Sequence, residues 1–65
     1  MPSELYRKLT ALLLQHGCTL VRQGKGDHEI WESPITKKRF TVDKGGTNRH
    51  TANSALKSAG IEQKL

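Results

Sequence analysis

Three histidines and one cysteine are the side chains of this 65-residue chain best suited to move a proton or attack a substrate near neutral pH. His28 has the most useful setting. It follows Gly24-Lys25-Gly26-Asp27, a glycine-rich turn where backbone N–H groups can approach a phosphate while the imidazole reaches the same group. The segment is not a nucleotide P-loop, because Gly-x-x-x-x-Gly-Lys-Ser/Thr is absent. Taken alone, a histidine beside a turn is more often an exposed polar residue, so spacing by itself leaves catalysis open. His16 suits the end of a helix and reads as structural. His50 precedes a helix, whose free N–H groups attract anions, and keeps a smaller claim on substrate. Cys18 opens a core strand with no histidine fixed beside it, and neither it nor the histidines match a zinc spacing, so no metal and no other cofactor is expected.

The elements that must position His28 can be read from periodicity. Leu5, Leu9, Leu12 and Leu13 fall on one helical face, predicting a helix from Ser3 to His16 with Ser3 as N-cap and Gly17 as left-handed stop. Cys18 to Gln23, Glu29 to Ser33 and Arg39 to Val42 carry β-branched or aromatic residues between turn signals, predicting three strands. Gly24 to Asp27 fits a tight hairpin and Ser33 to Lys38, with Pro34, a longer one, so the strands form an antiparallel meander. Phe40 and Val42 share a face. Ile30 and Trp31 are adjacent, and period two cannot say which points inward, nor whether Trp31 fills the core or stacks on a base. Because His28 has the parity of Ile30, its own face depends on that choice. Beyond a polar loop from Asp43 to His50, Ala52, Ala55, Leu56 and Ala59 mark a second helix, capped by Thr51 or Asn48 and ended by Gly60, with Ile61 folding back. The expected fold class is α+β, in the order α-β-β-β-α, with two helices on one face of a three-stranded antiparallel sheet.

Size and charge narrow the function. At 65 residues with 34% hydrophobic content, the chain is one domain spanning 1–65, with a thin core and no room for a drug-sized ligand. A single cysteine fits a reducing compartment, and no signal peptide or membrane span is evident, so a cytoplasmic protein is expected. Lys and Arg number 11 against 6 Asp and Glu, a net charge of +5, which favours a polyanionic partner. Seven of the basic residues lie between Arg22 and Arg49. Among them Lys25, Lys38, Arg39, Arg22 and Arg49 are the candidate residues for binding a phosphate backbone such as RNA's.

The segments Val21-Arg22-Gln23-Gly24-Lys25-Gly26-Asp27-His28-Glu29-Ile30-Trp31, Arg39-Phe40-Thr41-Val42 and Thr51 to Ile61, which ends Leu-Lys-Ser-Ala-Gly-Ile, carry a resemblance to the HicA toxin family. The resemblance implies a fold similar to double-stranded-RNA-binding domains and a ribosome-independent mRNA interferase of a type II toxin–antitoxin system. The family's catalytic histidine falls on His28. It also implies a HicB-like antitoxin that binds the toxin and covers its site. Two positions depart from the family: Asp27 stands where many members have Ser, and Asp43 where many have Pro. Asp27 is expected either to hold the imidazole or to cap the turn. The leading expectation is a metal-independent endoribonuclease acting through His28, with Lys25, Arg39 and Lys38 on the phosphate. The rival is a non-catalytic RNA-binding module of the same fold.

Overall fold

The computed structural model describes residues 3–65; Met1 and Pro2, part of the N-terminus read above for a leader, lie outside the described residues. Its elements are α1 (Glu4–Gln15), β1 (Thr19–Gln23), β2 (His28–Glu32), β3 (Arg39–Asp43) and α2 (Arg49–Ser58), in the expected order. The strands form an antiparallel sheet in the order β1-β2-β3. Among the described residues no helix is long and apolar enough to cross a membrane.

Both helices begin and end as their sequences dictate. Ser3 Oγ accepts from Tyr6 N at 3.0 Å and donates to Gly46 O at 2.6 Å, so the cap of α1 also ties down the loop leading to α2. Asn48 caps α2, its Oδ1 accepting from His50 N at 2.8 Å, which settles the choice between Asn48 and Thr51. Each helix ends in a Schellman arrangement. Gly17 takes φ +85°, Gly17 N donates to Leu14 O, and Cys18 N reaches Leu13 O; Gly60 takes φ +78°, Gly60 N donates to Lys57 O, and Ile61 N reaches Leu56 O. Cys18 and Ile61 are thereby turned back into the core, where both are buried.

The core lies between one sheet face and the two helices. Leu9, Leu13, Ala52, Ala55, Leu56 and Ala59 meet Trp31, Phe40 and Val42. Trp31 and Phe40 are direct cross-strand partners, an aromatic pair on the inner face. Leu13 and Leu56 are fully buried, and each such side chain is worth about 1.5–3 kcal/mol. The 33–38 connection is clamped onto the end of α2. Ser33, completely buried, donates from Oγ to Ala59 O at 2.6 Å and accepts from Ile35 N at 3.1 Å, while Thr36 Oγ1 donates to Ser58 O at 2.8 Å.

The helical layer stops short of β1. All five of its residues are exposed, including Leu20 (48%), whose pairing with Trp31 puts it on the inner face, and Val21 (38%).

Candidate nucleic-acid interface and active site

The parity of β2 is decided by Trp31. Glu29 and Trp31 are buried, whereas His28 is exposed and Ile30 and Glu32 are half-buried, so His28 lies on the face that the helices leave open. Antiparallel register places the open-face neighbours. His28 stands opposite Asp43, Ile30 opposite Thr41 on one side and Arg22 on the other, and Glu32 opposite Arg39 and Thr19.

The backbone of His28 is fixed independently of its side chain. Its N–H donates to Lys25 O at 3.1 Å, closing the turn, and its carbonyl accepts from Gly24 N at 2.7 Å. Gly24 eases this approach, since a Cβ there would stand 3.0 Å from His28 O, a tight contact. These two amides are spent inside the hairpin, so the turn offers a phosphate fewer N–H groups than its glycines suggest. Asp27 does not hold the imidazole. Its carbonyl accepts from Lys44 N at 2.9 Å and its carboxylate lies beside Gly45, so it joins the hairpin to the loop after β3. Asp43 likewise turns inward on its own loop, with Oδ1 accepting from Gly45 N at 3.0 Å.

The candidate cations divide into three places. Arg22 and Lys25 flank His28, from the neighbouring strand and the turn. Lys38 and Arg39 lie at the opposite end of β2, about 13 Å away along the strand, too far to share one small group with His28. Arg39 is also engaged: its Nε donates to Glu32 Oε1 at 2.9 Å, an exposed pair worth about 0.2–1 kcal/mol. Arg49 opens α2 and belongs to the helical layer. His50 is exposed beside Asn53 and Lys57 on a groove between α2 and the C-terminal residues, away from the sheet face that carries His28. His16 ends α1, with Nδ1 2.9 Å from Leu12 O. Among the described residues no group of three or more His, Cys, Asp or Glu side chains is gathered to hold a metal ion.

Composition gave no sign of a buried carboxylate directly behind His28. Glu29 is 5% exposed, and its Oε1 accepts from Tyr6 Oη at 2.7 Å and Trp31 Nε1 at 3.1 Å. This cluster pins α1 to β2 at the residue next to His28, and it gives the indole N–H a partner inside the core. Burial pushes the Tyr6 phenol up from 10.0 to about 12, with its hydrogen bond to Glu29 and the charge of Glu29 acting in the same direction. A raised folded-state value means the contribution to stability is whole below pH 10.0 and is lost as pH rises through about 12. Tyr6 is the only tyrosine, so its phenolate absorbance can be followed without ambiguity. Titration of the folded protein is expected to show ionisation near pH 12, and the denatured chain near 10.0; coincident curves would contradict the cluster.

The family described as HicA toxin of bacterial toxin–antitoxin systems matches the chain over residues 6–61. No curated protein and no solved structure matches it. The matched stretch runs from Tyr6, which supports Glu29 behind His28, to Ile61, which closes α2, and so takes in every element that builds the open face. The chain therefore belongs to the HicA family, the toxin component of bacterial toxin–antitoxin systems, in which an antitoxin is its counterpart.

Proposed function

We propose that this toxin is a metal-independent endoribonuclease that cleaves mRNA on the open face of its sheet, with His28 as the general acid–base. The observation that carries the reading is the placement of His28: exposed, on the helix-free face, at a hairpin end closed by backbone hydrogen bonds, with Arg22 and Lys25 beside it. His28 takes the proton from a ribose 2′-hydroxyl. The 2′-oxygen forms a bond to the adjacent phosphorus, the bond from phosphorus to the 5′-oxygen breaks, and that oxygen takes a proton from water or from the imidazolium. The products carry a 2′,3′-cyclic phosphate and a 5′-hydroxyl. Lys38 and Arg39 hold the RNA further along the same face, and Arg49 contributes to the general attraction of the polyanion. A HicB-like antitoxin in the cytoplasm holds this activity in check by covering the face.

The test is incubation with single-stranded RNA in EDTA, followed by analysis of the fragment ends. Cleavage with cyclic-phosphate ends is the expected result; a requirement for Mg²⁺, or 3′-hydroxyl ends, would remove the mechanism. One observation favours a second reading, a non-catalytic RNA-binding module: neither Asp27 nor Asp43 orients the His28 ring, each being engaged with the loop around Gly45. Binding without any cleavage would decide for it.

A further inference from the structure

We propose that Arg22 is the phosphate clamp of the His28 site, and that a bulge in β1 is what places it there; the inference rests on the reading that this face takes RNA. In a regular strand, residues two apart share a face, so Arg22 would follow Leu20 onto the inner side, opposite Glu29. The register instead shifts between Leu20 and Arg22: Leu20 pairs with Trp31, Val21 is the extra residue, and Arg22 pairs with Ile30. One inserted residue thus moves a guanidinium from the helical side to the face that carries His28. Bulges are known to re-aim side chains in this way beside functional sites.

The resulting geometry suits a phosphodiester. Arg22 is the diagonal cross-strand neighbour of His28, a backbone separation of about 7–8 Å that long side chains span easily. Of the two arginines on the open face, Arg39 is held by Glu32 at the far end, whereas among the described residues Arg22 is in no ion pair. Its planar fork can donate two parallel N–H bonds to the non-bridging phosphate oxygens, which Lys25 as a point charge cannot do. Those oxygens gain charge as the 2′-oxygen adds, so the clamp acts more strongly in the transition state than on bound substrate.

The decisive variant exchanges neighbours, Arg22→Gln with Gln23→Arg, keeping composition and net charge while moving the guanidinium to the position that pairs with Glu29, off the face that carries His28. Binding of a labelled single-stranded oligouridylate is measured across a salt series, and cleavage of the same RNA is measured at saturation. The exchange variant and Arg22→Ala are each expected to lose about tenfold or more in affinity and about one ion from the salt slope, with a further loss in cleavage rate. Arg22→Lys should keep the salt slope but not the full rate. Native-like binding and cleavage by the exchange variant would overturn the proposal; if that variant fails to fold, Arg22→Ala, at an exposed position, carries the test. Native protein that binds the RNA but leaves it intact would defeat the nuclease reading and leave the clamp standing, whereas native protein that does not bind it would defeat the clamp.

Discussion

Replacing His28 by alanine is expected to slow RNA cleavage by about 10²- to 10⁴-fold, the usual worth of a positioned acid–base group, without unfolding the protein. The two parts of that expectation have separate grounds. The rate loss follows from removing the only imidazole that the described residues place on the open face, since His16 ends α1 and His50 lies in the helical layer. The retained fold follows from the hairpin: the bonds from Gly24 N to His28 O at 2.7 Å and from His28 N to Lys25 O at 3.1 Å are made by backbone. An exposed substitution of this kind changes stability by no more than about 0.5 kcal/mol. Oligonucleotide affinity should stay close to native, because the proposed phosphate contacts are assigned to neighbouring cations. Undiminished cleavage by the alanine variant would remove His28 from the mechanism whatever the family resemblance implies.

The largest expected effect on stability lies at the other end of the sheet. Gly60→Ala places a Cβ at φ +78°, 2.9 Å from Thr36 Cγ2 and 3.0 Å from Ile35 Cγ2. The left-handed backbone alone costs an L-residue about 1–2 kcal/mol. The collision adds about 1–3 kcal/mol, because Thr36 and Ile35 are β-branched and cannot swing away cheaply. Thr36 is further held by its bond to Ser58 O at 2.8 Å, and the adjoining Ser33 by its bond to Ala59 O at 2.6 Å. A chain of this size has only about 3–10 kcal/mol in total, and each kcal/mol shifts Tm by about 4–8 °C. Gly26→Ala provides the control. Gly26 also has positive φ (+59°), but nothing lies within 4 Å of its Cβ position, so it pays for backbone strain alone. Thermal melts should rank native above Gly26→Ala and Gly26→Ala clearly above Gly60→Ala; equal melting points for the two variants would show that the 33–38 clamp does not resist the intrusion.

Much of the fold was legible because its signals are local. Leucines at helical spacing, Ser3 and Asn48 as caps, and Gly17 and Gly60 as stops each act within a few residues, and the strand segments were bounded by turn chemistry. What escaped is set by partners distant in sequence. Whether Ile30 or Trp31 turns inward depends on Phe40 across the sheet and on Glu29, which shares the inner face and is supported by Tyr6 from α1. A glutamate reads as a surface residue until its hydrogen-bond donors are in place. For the site, the sequence singled out His28 and a set of cations but could not sort them. Register brings Arg22 beside His28 and leaves Lys38 and Arg39 at the far end, and a single-residue bulge is invisible to any reading of period two.

The bare edge of β1 has a practical meaning for the free protein. An outer strand with Leu20 and Val21 partly uncovered is an open template for further strands, and natural sheets usually shield such edges. Arg22 and the bulge supply some of that shielding, and the net charge of +5 keeps copies apart at low ionic strength. Salt screens that repulsion while leaving the apolar edge as adhesive as before. Concentrated, salt-rich storage is therefore expected to work against this chain: the conditions that screen its charge are the same ones that invite it to stack on itself.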